Sequence, residues 1–148
     1  MSVSYDVFAE AFRDKVKDLG FLNMDTFCRN TVVDGYMKRA CAQFDKICSY
    51  DLYARDDLVR EFQFDVSEQE IDELVDIISE GMLVQWMKPY VYKAENLENV
   101  LNTKDYSMYS PAELLRQISA AYNTAKKDFS QMMREYSYNH GDLTDLHL

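Results

Sequence analysis

The sequence predicts an all-α protein, a helical bundle of about four main helices with a long C-terminal helix, a short extended arm and a C-terminal tail. Three observations carry that expectation. Only four Gly and two Pro in 148 residues leave few turns, against the many Gly/Pro-rich corners of a sandwich or barrel. Apolar residues recur at three-and-four spacing over several long stretches. Two of those stretches open with a Ser-x-x-Glu capping box, the local signature of a helix start.

The first helix is expected from about Ser4, its N-cap, to Leu19, with Gly20 as a stop. Phe8, Ala11, Phe12, Val16 and Leu19 form its apolar side. A second is expected from near Asn30 or Thr31, where Val33, Met37, Ala40, Cys41, Phe44, Ile47 and Cys48 make a buried stripe. Asp34, Lys38, Arg39 and Asp45 take its outside. From Arg60 to Val66 the pattern becomes strict alternation, with Phe62, Phe64 and Val66 on one side and Glu61, Gln63 and Asp65 on the other. A lone strand makes no sheet, so this segment reads as a connecting arm or as an edge for a neighbouring subunit.

Ser67 opens the third helix, with Glu70 able to reach back to the Ser67 amide, and Pro89 is expected to end it. Ile71, Leu74, Val75, Ile78, Met82 and Trp86 form its core stripe. Asp72, Glu73, Asp76 and Glu80 cluster on the opposite side, while past Gly81 that side becomes apolar with Leu83, Val84 and Met87. A short helix follows over about Ala94 to Leu101, then an aromatic-rich loop. Ser110, Pro111 and Glu113 make the clearest helix start in the chain. Leu115, Ile118, Tyr122, Ala125, Phe129, Met132 and Tyr136 then keep a lengthwise packing stripe to about Ser137. That helix would run roughly 40 Å at 1.5 Å per residue, about the width of a domain this size. It must span the fold or overhang it. No repeat or low-complexity linker divides residues 1–148, which read as one domain.

Composition excludes several function classes. The net charge of −10 argues against a broad phosphate-gripping surface. The acids are concentrated: Glu61 to Glu98 holds ten acidic residues against two lysines, a net of −8, whereas Pro111 to Ser137 holds four basic and three acidic residues. The best apolar run, Gly81 to Met87, is far short of the roughly 20 residues a bilayer crossing demands, so no membrane partner is expected. Cys28, Cys41 and Cys48 are an odd number with no secretory leader at Met1, which points to a reducing cytosolic setting and buried thiols.

No enzyme is expected. His140 and His147 both fall in the tail, and no phosphate loop, His-Glu-x-x-His pair or Cys-x-x-Cys pair occurs. His140, Asp142, Asp145 and His147 match no common metal spacing, and no metal or cofactor is expected. The acidic residues Asp72, Glu73, Asp76 and Glu80 read either as a solvated face or as a surface toward another subunit or a channel, where negative charge would keep DNA from sticking. Tyr106, Met108, Tyr109, Tyr136 and Tyr138 are the subunit-interface candidates, because aromatic residues and Met are enriched at such surfaces.

Three runs carry a resemblance: Glu-Gly-Met-Leu-Val-Gln-Trp-Met-Lys-Pro (Glu80 to Pro89), Leu-Asn-Thr-Lys-Asp-Tyr-Ser-Met-Tyr-Ser (Leu101 to Ser110) and Arg-Glu-Tyr-Ser-Tyr-Asn-His-Gly-Asp-Leu-Thr (Arg134 to Thr144). Over Val66 to Leu148, a little more than half of the chain, the sequence resembles virion proteins of tailed bacteriophages infecting Gram-positive hosts. It is similar to the small helical head-tail connectors, or adaptors, of the neck. The resemblance implies a homo-oligomeric ring, a dodecamer by analogy, beneath the portal protein. It implies a stopper or tail protein as the next neighbour, DNA passing without specific binding, and a place in the virion neck after assembly in the host cytoplasm. Docking on the portal would use Asn139, His140, Asp142, Leu143, Thr144, Asp145, Leu146 and Leu148, whose leucines have no segment of their own to pack on. The alternatives are another virion part, such as a stopper or tail-completion protein, and an acidic helical inhibitor that mimics DNA.

Overall fold

A computed structural model describes residues 2–16, 25–101 and 111–140. The protein is mostly helical, with four helices and one small sheet among these residues. The order is β1 (Val3–Ser4), α1 (Tyr5–Lys15), α2 (Thr26–Phe44), β2 (Arg55–Asp56), β3 (Glu61–Phe62), α3 (Glu68–Leu101) and α4 (Pro111–His140).

Ser4 caps α1 as its sequence suggests, accepting a hydrogen bond from the Asp6 amide at 3.2 Å. Phe8, Phe12 and Val16 follow at steps of four and are all buried, with Ala11 half-buried beside them. The helix closes at Val16, whose N–H returns to the Arg13 carbonyl; Leu19 and Gly20 lie outside the described residues.

Helix α2 begins earlier than Asn30, at Thr26, because Asp25 supplies the cap: its Oδ1 accepts from the Cys28 amide at 2.8 Å. The apolar spacing begins only at Val33, so periodicity alone placed the start a turn too late. Val33, Met37, Ala40, Cys41 and Phe44 are buried as expected. The helix stops at Phe44, which leaves Ile47 partly exposed and Cys48 half-buried in the following turn.

The alternating segment around Phe62 is no free arm. β3 is the central strand of a three-stranded antiparallel sheet made within the chain, in the order β1-β3-β2. Phe62 lies opposite Val3 on one side and Arg55 on the other. The alternation was informative all the same: Phe62 is fully buried, Phe64 and Val66 are half-buried, and Gln63 and Asp65 are exposed. Rings of Tyr5, Phe8 and Phe64 surround Phe62, at centroid distances of 5.1, 5.3 and 5.4 Å, a tilted and edge-on arrangement that aromatic pairs favour. β1 and β2 are two residues long, too short to leave a period of their own in the sequence.

Ser67 Oγ accepts from the Glu70 amide, so half of the expected capping box is formed. The Glu70 carboxylate accepts the hydroxyl of Tyr50 and also interacts with the Ser67 backbone, as the other half of the box requires. Pro89 does not end α3, which runs on to Leu101 and absorbs the short helix expected from Ala94. A proline inside a helix removes one hydrogen bond and costs about 3 kcal/mol. Here Trp86 and Tyr90, one turn apart across the proline with ring centroids at 5.4 Å, hold the two sides together, and α4 packs alongside α3.

The core gathers one stripe from each helix. Leu74, Ile77, Ile78 and Met82 of α3 meet Ala125, Phe129 and Tyr136 of α4, the α1 and α2 stripes, and Leu52 and Phe62 from the intervening segment. Val84 is also buried, with Leu83 and Met87 half-buried, so the stretch from Gly81 to Met87 is largely covered. At 1.5 Å per residue, α3 measures roughly 51 Å and α4 roughly 45 Å, longer than the width of a body this size. Burial stops part-way: among described side chains Gln85 is the last buried one on α3 and Ala125 the first on α4. Past these points the described side chains Lys88–Val91 of α3 and Arg116–Thr124 of α4 are exposed or half-buried, with Tyr122 still packed against the core.

Candidate interaction surfaces

The most tightly organised part of the surface is the hairpin that joins β2 to β3. Its residues Asp57 to Arg60 turn the chain back, and Arg60 adopts a left-handed conformation at φ 56°. A non-glycine residue sits there at a cost of about 1 to 2 kcal/mol. The side chain explains why arginine is held in it. Its guanidinium grips Asp34 of α2 through Nε at 2.7 Å and Nη2 at 2.8 Å, and reaches Asp6 of α1 through Nη1 at 2.7 Å. The hydrogen bond to Asp34, foremost, pushes the already high Arg60 pKa further up. Asp34 thus faces an ion pair, with only 13% of its side chain exposed, rather than open solvent.

Asp57 fixes the other side of the turn. Its Oδ1 accepts from the buried Tyr5 hydroxyl at 2.7 Å, and its Oδ2 meets Lys38 of α2 at 3.2 Å. These contacts, the Tyr5 hydroxyl first, hold the Asp57 carboxyl below the usual carboxylate range, and burial followed by the Asp57 hydrogen bond pushes the Tyr5 phenol up. Asp56 Oδ1 accepts from the Leu58 amide at 2.9 Å, an Asx turn. The hairpin is therefore anchored to α1 and α2, yet Leu58 at its tip is 96% exposed and Val59 59%. Sequence reasoning missed this site: an isolated Leu-Val pair in a charged stretch has no period, and only the hairpin reveals that both point outward.

The acidic residues of α3 do not form one open face. Asp72 is exposed, but Glu80 pairs with Lys15 of α1 at 2.7 Å and Glu73 with His140 of α4 at 3.0 Å. Between α3 and α4 lie two clefts, of about 280 and 140 Å³, the first bordered by Glu80, Asp128 and Glu135, the second by Glu73, Asp76 and Glu135. Lys15 and His140 thus engage Glu80 and Glu73, while Asp72 and Asp76 stay exposed.

Among the aromatic interface candidates, Tyr136 is a core residue and not a surface one. It is 2% exposed, its ring meets Phe44 edge-on at 4.9 Å, and its hydroxyl accepts from the Ser49 amide at 3.1 Å. Its place at the end of a regular apolar stripe was the signal for that role. Tyr138, two residues on, points the other way and is 74% exposed. Tyr106, Met108 and Tyr109 lie outside the described residues.

Asn139 and His140, expected in the C-terminal tail, belong instead to α4, which runs through His140. His140 stacks on Tyr136 at a centroid distance of 4.2 Å while reaching Glu73, so it belongs to the helical scaffold. Asn139 is exposed; Asp142, Leu143, Thr144, Asp145, Leu146 and Leu148 lie outside the described residues. The thiols also differ from expectation: Cys41 is buried, Cys48 half-buried and Cys28 exposed, all three free. Cys28 sits outside because α2 starts at Thr26 and turns its first residues away from the core.

Among the described residues no group of three or more His, Cys, Asp or Glu side chains is placed to hold a metal ion, and no helix is long and apolar enough to cross a membrane. Compared with protein-family models, curated proteins and solved structures, the chain matches none of them.

Proposed function

We propose that this chain is a structural protein of the neck of a tailed bacteriophage, a head-tail connector that assembles as a ring beneath the portal and links it to the next neck or tail component. The reading rests on the resemblance over Val66 to Leu148, and one structural observation favours it. α3 and α4 are 34 and 30 residues long, and Lys88–Tyr90 of α3 and Arg116–Gln117 of α4 stay exposed, surface that a neighbouring copy can receive. Repeating one subunit head to tail around an axis uses two different patches per copy, which raises the surface each copy must offer. The exposed positions of α3 and α4, Tyr138 and the anchored Leu58 hairpin provide such patches. The clefted acidic side of α3 would then lie toward subunit neighbours or the DNA passage, where its charge repels the duplex.

In this reading the residues after Gly141 dock on the portal, with Leu143, Leu146 and Leu148 burying apolar area and Asp142 and Asp145 meeting donors. The test is electron microscopy of the protein mixed with portal rings of a phage that encodes it. The full chain is expected to decorate one end of the portal, and a chain ending at Gly141 is expected to stay helical and to lose that binding. Undiminished binding by the shortened chain would remove the docking role, and no binding by either chain would remove the connector reading.

A further inference from the structure

Leu58 stands 96% exposed on a hairpin anchored through Asp57 and Arg60. Both arginines of the hairpin turn inward: Arg60 to Asp34 and Asp6, Arg55 to the Leu52 carbonyl at 3.0 Å and to Asp57. Their side chains are only 22% and 15% exposed. The outward surface of the tip is therefore apolar, Leu58 and Val59, flanked by the carboxylates of Asp56 and Asp57. A knob already held in place loses little conformational freedom on binding.

A matching receptor lies elsewhere on the same molecule. An open surface groove of about 630 Å³ lies between the end of α2 with the turn after it and the middle of α4, lined by Gln43, Lys46, Ile47, Lys126, Lys127, Ser130, Met133 and Arg134. Its apolar floor is Ile47, which is 37% exposed, and the half-buried Met133, a side chain that adapts its shape readily. Four cations line it, in a chain of net charge −10, and no carboxylate does. Among the described residues no salt bridge neutralises these four. The knob is apolar with Asp56 exposed beside it and with Asp57, 58% exposed though already paired with Lys38, and the groove is apolar with basic flanks, so the two surfaces are complementary in charge.

We propose that the Leu58–Val59 knob of one copy seats in the Ile47/Met133 groove of a second copy, with Asp56 and Asp57 facing Lys46, Lys126, Lys127 and Arg134. The two patches cannot meet within one chain. Asp34, which anchors the hairpin, and Gln43, which lines the groove, are nine residues apart on α2, about half a turn apart around its axis at 3.6 residues per turn. Knob and groove therefore face opposite ways, and the contact is head to tail: each copy keeps a free knob and a free groove, so the assembly closes as a ring or grows as a filament. The inference gives the proposed ring its subunit contact and rests on that reading for its use in the virion.

The experiment is sedimentation velocity of the full-length protein over a concentration series, with Leu58→Asp as the knob variant and Lys126→Glu/Lys127→Glu as the groove variant. All three sites are exposed, and circular dichroism verifies the fold. The wild type is expected to form oligomers that weaken as salt rises. Each variant alone is expected to associate at least about tenfold more weakly. Mixed, the two variants are expected to give a one-to-one dimer that grows no further, because the groove variant still has its knob and the knob variant its groove. A wild type that stays monomeric overturns both this contact and the ring. Oligomers unaffected by Leu58→Asp overturn the contact and leave the ring to other surfaces. If a chain ending at His140 fails to associate while Leu58→Asp associates normally, the groove receives the C-terminal segment and the proposal falls.

Discussion

The ring of Phe129 on α4 fills the space that a β-carbon on Gly81 of α3 would need: such an atom would stand 2.7 Å from Phe129 Cζ and 2.7 Å from Ala40 Cβ on α2. The absent side chain lets three helices meet at one level. Glycine in a helix interior costs about 1 kcal/mol relative to alanine, and here close approach outweighs that cost. Gly81→Ala should therefore destabilise the protein although it improves helix propensity. Ala40 Cβ is fixed to its backbone and cannot yield, so overpacking of about 1 to 3 kcal/mol is expected to dominate, leaving a net loss of about 1 kcal/mol in urea unfolding. A gain in stability would show that α2 and α4 can part at no cost.

Arg60 combines an unfavourable backbone with favourable ion pairs, and two substitutions separate these effects. Arg60→Ala keeps the left-handed conformation and strips Asp34, mostly buried, of its bidentate partner; a loss of about 2 kcal/mol is expected. Arg60→Gly also loses the ion pairs but is free of backbone strain, so it should be about 1 kcal/mol less damaging than alanine. Arg60→Lys should rescue little, because an ammonium cannot make the two-pronged contact. Equal losses for alanine and glycine in thermal unfolding would remove the strain from this account.

Thiol reactivity should rank the three cysteines by environment. Burial pushes the Cys41 thiol up to about 12 and raises that of Cys48, while Cys28 is exposed and is raised chiefly by its hydrogen bond to Asp25. Thiolate is the reactive form. With a colorimetric disulfide reagent near neutral pH, Cys28 should react first, Cys48 more slowly and Cys41 only as the fold opens. Cys28→Ser should remove the fast phase alone.

Acid should weaken the fold through three carboxylates. The Cys28 amide lowers the pKa of Asp25, the Tyr5 hydroxyl that of Asp57, and the Tyr50 hydroxyl that of Glu70. Each folded value lies below its unfolded one. Their contributions are therefore present above the ordinary carboxylate range near about pH 4 and are lost as pH falls through the lower folded values. All three groups are near the surface, so each effect is small and salt-sensitive. Melting temperature should fall below about pH 4, less steeply in Asp57→Asn. At the alkaline end the sign reverses: the Glu70 hydrogen bond holds the Tyr50 phenol up at about 12. Its contribution is complete below the unfolded tyrosine value of about 10 and is lost as pH rises through about 12.

Local sequence already carried the helical class, the Ser4 cap, the buried stripes of α1 and α2, the buried Ala125, Phe129 and Tyr136 of α4, and the inward side of the Phe62 segment. Each is written in residues close together in the chain, where helical or alternating periodicity and a polar cap act locally. Long-range packing alone set that Pro89 lies within α3 and that β3 pairs with Val3–Ser4 and Arg55–Asp56. It also decided that Glu73 and Glu80 are engaged by His140 and Lys15, and that Leu58 stands alone at a fixed tip. Those outcomes depend on partners distant along the chain, whose packing and ion pairing outweigh local propensity, and no local period records them.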